Sequence, residues 1–188
     1  MTYFRLPLIA ILTTLFTLIA SPVVAGDCTR LCKSDFIRDA TAQDIQAEIN
    51  KGADVRARTE DGLTPLHNAA RWDNAEAITV LLKAGANIEA RNKWGATPLH
   101  FAAALDKAEA ITVLLQAGAD IEARNKDGVT PLHRAARWGK AEAVIALLQA
   151  GADGKARDED GKTPFDLAKN NEKLKNTKAY WLLNEAQY

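Results

Sequence analysis

Short apolar clusters alternate with polar, glycine-punctuated stretches along this chain, and from residue 61 onward the alternation is periodic. Ile78, Leu81 and Leu82 stand at i, i+3 and i+4, a spacing that puts three side chains on one face of a helix. Ile111, Leu114 and Leu115 repeat the stripe, as do Val144, Leu147 and Leu148. Ahead of the first stripe, Leu66, Ala69 and Ala70 predict a shorter helix with a thin face, which lets a neighbour approach closely. Thr64 suits its N-cap and Pro65 its first turn, where a missing N–H costs nothing. Asp73 to Glu76 predicts a capping-box-like start for the second helix, and Gly85 a left-handed residue that ends it. Asn92-Lys93-Trp94-Gly95 then predicts a turn.

The same parts return at a fixed interval. Thr64-Pro65-Leu66-His67, Thr97-Pro98-Leu99-His100, Thr130-Pro131-Leu132-His133 and Thr163-Pro164-Phe165-Asp166 each begin 33 residues after the last. Segments 61–93 and 94–126 are identical at 25 of 33 positions. A period of this size signals a stacked array in which stability is shared among units and their junctions. The Thr-Pro-Leu-His string, the alanine pair after it, the leucine pair and the closing Gly-Ala together resemble the ankyrin repeat, over residues 28–188. The resemblance implies an all-α solenoid of helix-turn-helix repeats with β-hairpin loops. It divides the chain into an N-terminal capping repeat at 26–60, repeats at 61–93, 94–126 and 127–159, and a C-terminal capping repeat at 160–188. In the first cap Ile45, Ile49 and Gly52-Ala53 hold second-helix positions. In the last, a polar insert precedes a final helix with Tyr180, Trp181 and Leu182, expected to cover the end of the stack.

Residues 1–25 break the pattern. Arg5 precedes an uncharged apolar run from Leu6 to Ala20, then Ser21-Pro22, and Val23-Val24-Ala25 offers a small-residue cleavage site. This reads as a secretory signal, with a periplasmic or secreted mature chain that has no membrane association after cleavage. The competing reading is an uncleaved segment that tethers a scaffold to a membrane. Export would place Cys28 and Cys32, the only cysteines, where a disulfide can form. Four residues apart, they can bridge only if the chain there is not a regular helix. Free thiols, or a redox protein using the pair, are the alternatives.

Of the 188 residues, 24 are Lys or Arg and 24 are Asp or Glu, a zero formal charge that argues against a nucleic-acid partner. His67, His100 and His133 fall at one place per repeat, so they stack rather than converge on a metal or catalytic centre. No nucleophile–base motif and no phosphate-gripping loop is present. No catalytic residue, metal or cofactor is therefore expected.

The informative positions are those where near-identical repeats disagree, among them Asp61/Trp94, Leu63/Ala96, Arg71/Ala104 and Trp72/Leu105. The resemblance implies that these places face a concave groove used for binding. They give a stripe of Trp72, Leu105 and Trp138, flanked by Arg71, Lys93 and Arg137, with Trp94 and Val129 on the fingers. Trp and Arg are the side chains most enriched where binding energy concentrates. The expectation is a monomeric, non-enzymatic module that recognises an unidentified protein through this face. The alternative for Trp72 and Trp138 is that they fold over the helix ends and pack between repeats.

Overall fold

The computed structural model describes residues 30–188. The predicted signal segment and Cys28 lie outside these residues. A single 3-10 turn at Arg30–Cys32 opens the array. It is followed by helix pairs α1 (Ser34–Asp39) with α2 (Ala42–Asn50), α3 (Pro65–Trp72) with α4 (Ala75–Lys83), and α5 (Pro98–Ala104) with α6 (Ala108–Gln116). Pairs α7 (Pro131–Trp138) with α8 (Ala141–Gln149) and α9 (Pro164–Ala168) with α10 (Lys178–Ala186) complete it. The first helices of the pairs stack into one layer and the second helices into another.

Sequence chemistry accounts for both layers. Thr64, Thr97, Thr130 and Thr163 stand at the N-caps with proline next in line. The alanine pairs at 69–70, 102–103 and 135–136 are fully buried, so the first helices pack through small side chains. In the second layer Ile78 with Leu81, Ile111 with Leu114 and Val144 with Leu147 are fully buried. The third predicted member of each stripe differs: Leu82, Leu115 and Leu148 are only half-buried, and Ala77, Ala110 and Ala143 are fully enclosed instead.

Three ladders tie one repeat to the next. The first runs through histidine. The backbone N–H of Thr64 donates to Nδ1 of His67, which leaves the imidazole proton on Nε2 to bond the carbonyl of Ala96 at 3.1 Å. His100 reaches Val129 in the same way at 2.9 Å, and His133 reaches Lys162 at 3.0 Å. The second ladder is arginine. One guanidinium nitrogen of Arg58 donates to the carbonyl of Gly62 at 3.1 Å and to that of Arg91, one repeat on, at 2.8 Å. Arg91 does the same with Gly95 and Arg124, and Arg124 with Gly128 and Arg157. The third is a single backbone bond per junction between neighbouring fingers, from Lys93 to Asp61, Lys126 to Trp94 and Glu159 to Asp127. Each finger is closed by its own hairpin bond, such as Asn92 N–H to the Ala96 carbonyl at 3.1 Å. With one bond per junction no residue of the fingers forms a strand, so the expected β-hairpins are turns among the described residues.

Capping departs from the local pattern. Asp73 ends α3 in the left-handed region at φ 62°, and its carboxylate accepts the N–H of Ala110, in the first turn of α6 one repeat away, at 2.7 Å. Asp106 repeats this onto Ala143 in α8 at 2.8 Å. The cap of α4 is Asn74, whose oxygen accepts from Ala77 while its amide donates back to the carbonyls of Ile37 and Ala40. The array ends on Leu174, Ala179 and Leu183, all buried, with Tyr180 against Phe165. Trp181, expected within the end cover, is instead 53% exposed. No helix among the described residues is long and apolar enough to cross a membrane.

Burial holds His67 and His100 down to about 4, and lowers His133 as well. A neutral native imidazole that ionises on unfolding contributes stability that is complete above the ordinary value of 6.5 and is lost as pH falls through that value toward 4. At about 1.4 kcal/mol per pKa unit, His67 and His100 each contribute on the order of 3 kcal/mol to that loss. Urea midpoints measured from pH 7 to pH 4 should fall, and the pH slope should shrink in His100→Ala even though that variant is less stable at pH 7. A second outcome concerns the cross-repeat cap. Asp106→Ala should cost about 1–2 kcal/mol in urea unfolding, whereas Asp106→Asn, which keeps the acceptor and tolerates the left-handed region, should cost a fraction of that.

Candidate binding groove

The fingers and the exposed ends of the first helices enclose a groove of about 640 Å³ over the middle of the array. Trp94 forms one wall from a finger tip. Its backbone is fixed, because its N–H donates to Oδ1 of Asn92 and its carbonyl accepts from Lys126. The next residue, Gly95, has φ 75°, and a Cβ there would stand 3.0 Å from the Lys126 nitrogen. Only glycine lets adjacent fingers approach this closely.

The floor comes from α5. Phe101 is half-buried, edge-on to the His67 ring at 5.4 Å, and Leu105 at the helix end is 39% exposed. Trp138, the last residue of α7, is 51% exposed and closes the far side. Its helix end is anchored from the last repeat, where the Asn171 amide donates to the Arg137 carbonyl at 3.0 Å. Arg71, Arg134 and Lys140 supply the charge of the lining, and no carboxylate contributes to it. Burial lowers the pKa of Arg134, the negative charge of Asp127 opposes this, and the positive charge of Arg137 adds to it.

Four residues singled out in the sequence meet here: Arg71, Trp94, Leu105 and Trp138. The other four sit elsewhere. The Trp72 indole N–H donates to the Ser34 hydroxyl at 2.7 Å, and the guanidinium groups of Arg38 and Arg71 stand 5.5 and 5.7 Å from the centre of its ring. It thus fastens α3 to the N-terminal cap. Lys93 pairs with Asp61 at 3.0 Å, an exposed pair of small energetic weight. Val129 is buried, with its carbonyl held by His100. Arg137 is exposed, outside the lining of the groove. Conversely, Phe101, Arg134 and Lys140 line the groove and were not picked out. The first two were legible, since the position after Thr-Pro-Leu-His changes from Asn68 to Phe101 to Arg134.

At the N-terminal end Cys32 is buried in the 3-10 turn, and its carbonyl accepts from the Asn68 amide at 3.1 Å. The three histidines stay one per junction. No group of three or more His, Cys, Asp and Glu side chains among the described residues is placed to hold a metal ion.

A scaffold of paired helices repeating every 33 residues, with a groove between fingers and first helices, defines a class. Residues 39–125 match the family described as ankyrin repeats (3 copies), and residues 114–168 match that described as ankyrin repeats (many copies). The chain belongs to the ankyrin-repeat family. No curated protein matches it. Ankyrin repeats generally mediate protein–protein interaction and are typically binding modules without enzymatic activity.

The two tryptophans at equivalent helix ends should behave differently. Trp72→Ala, which removes a hydrogen bond and the packing onto the cap, should lower stability by about 2 kcal/mol. Trp138→Ala should stay within about 0.5 kcal/mol of the parent in the same urea titration.

Proposed function

We propose that this chain is an exported monomeric module that captures a partner protein in the groove between its fingers and its first helices. The observation that carries the reading is the convergence of Trp94, Leu105 and Trp138, all exposed, on one groove whose walls are rigidly hydrogen-bonded. Large exposed aromatics on a groove mark a contact surface, and a pre-formed wall loses little conformational freedom on binding. Export rests on the n-region, apolar run and cleavage site of residues 1–25. A Cys28–Cys32 bridge is compatible with the chain at Cys32, because the 3-10 turn ends there and α1 begins only at Ser34.

Affinity capture from the exported fraction of the native cell, read by mass spectrometry, tests the reading. The parent chain should retain a partner that Trp94→Ala/Trp138→Ala loses, while Trp181→Ala, altered at the far end of the array, retains it. Equal recovery by the double variant would place binding on another face. Intact mass of the purified chain should correspond to cleavage after Ala25 with two hydrogens removed by the disulfide.

A further inference from the structure

The cationic side of the groove carries a second message, which rests on the binding reading above and names the chemistry of the partner. Arg134 projects from α7 one turn before Trp138, so the two share a helix face. Its guanidinium offers five N–H donors and is half-buried, yet among the described residues no carbonyl or side chain accepts a hydrogen bond from it. Asp127 influences it through charge alone: the two form no ion pair, and the Asp127 carboxylate accepts instead from the Asn125 amide at 3.2 Å. Arg71 and Lys140, the other cations of the lining, also lack a carboxylate within ion-pairing distance among the described residues.

The fold does not need this charge. The equivalent positions hold Asn68 and Phe101 in helices that start from the same Thr-Pro cap. Facing the groove, the guanidinium meets only solvent, and an incoming carboxylate would replace that solvent with two parallel hydrogen bonds. Beside it stand Trp94, Phe101, Leu105 and Trp138, which offer an apolar surface to whatever carries that carboxylate. A polypeptide supplies both chemistries in adjacent residues. We infer that the groove receives an acidic segment of the partner protein, with an Asp or Glu carboxylate forked onto Arg134 and a neighbouring large apolar side chain against Trp94 and Trp138. Arg71 and Lys140 attract further acidic residues of the segment.

The test is selection of displayed random peptides on the immobilised full chain. It is followed by calorimetry on one enriched peptide made with acetylated and amidated ends. Enriched peptides should pair Asp or Glu with Trp, Phe or Leu. Changing the peptide's carboxylate to the amide should weaken binding roughly tenfold or more, as should Arg134→Gln, and the two changes together should cost little more than either alone. Arg134→Lys should recover part of the loss, and far-ultraviolet circular dichroism should match the parent in both variants. Several results would overturn the inference. These are enrichment of neutral or basic peptides, unchanged affinity in Arg134→Gln, a requirement for a free peptide C-terminus, or no peptide bound at all. Neutral peptides that still depend on Trp138 would remove the acidic chemistry and leave the groove as the binding face. Acidic peptides indifferent to both Arg134→Gln and Trp138→Ala would remove the groove as well.

Discussion

Every junction between full repeats passes through an imidazole that must remain uncharged. The Thr backbone N–H occupies Nδ1, so the single proton sits on Nε2 and points at a carbonyl in the next repeat. Protonation would put a donor against a donor and a charge into a buried seam. The bond also fixes where each finger ends and the next first helix begins, since the accepting carbonyls of Ala96, Val129 and Lys162 each precede the N-cap Thr of that helix. Finger spacing, the arginine ladder and the groove walls all follow from that placement.

The periodic parts of this design were plain in the sequence because they are local. A Thr-Pro start, an alanine pair and a glycine stop act within a few residues, and the period of 33 carries them along the chain. Side chains that act across a junction were harder to read. Asp73 precedes α4, which suggests a cap for that helix, yet its acceptor oxygen serves Ala110, 37 residues away. Arg58, Arg91 and Arg124 look like ordinary solvated charges, and each joins two repeats. Trp72 and Trp138 occupy the same place in the repeat and meet different fates. Ser34 and Arg38 lie beside the first, whereas the indole of the second has no hydrogen-bond partner among the described residues. Identity of position in a repeat therefore does not fix burial near an end of the stack.

The groove is confined to the interior of the array for the same reason. Toward the N-terminus, the first cap covers the ring of Trp72. Toward the C-terminus, Asn171 occupies the space beside Gly139, within 2.8 Å of where a Cβ would stand. Between these covered ends, α5 and α7 present Phe101, Leu105, Arg134 and Trp138 to the fingers without obstruction. The atypical end units thus set the limits of the usable surface as well as closing the apolar core.

The arginine ladder has a consequence for how such a chain can change over time. Its bonds are made to backbone carbonyls, as are those of the histidines, so the partner across each junction is independent of side-chain identity. Side chains at the finger tip, after the histidine and at the end of the first helix take no part in the ladders and are free to vary. Recognition can therefore drift, or be exchanged one unit at a time, while the frame beneath it inherits the same bonds unaltered.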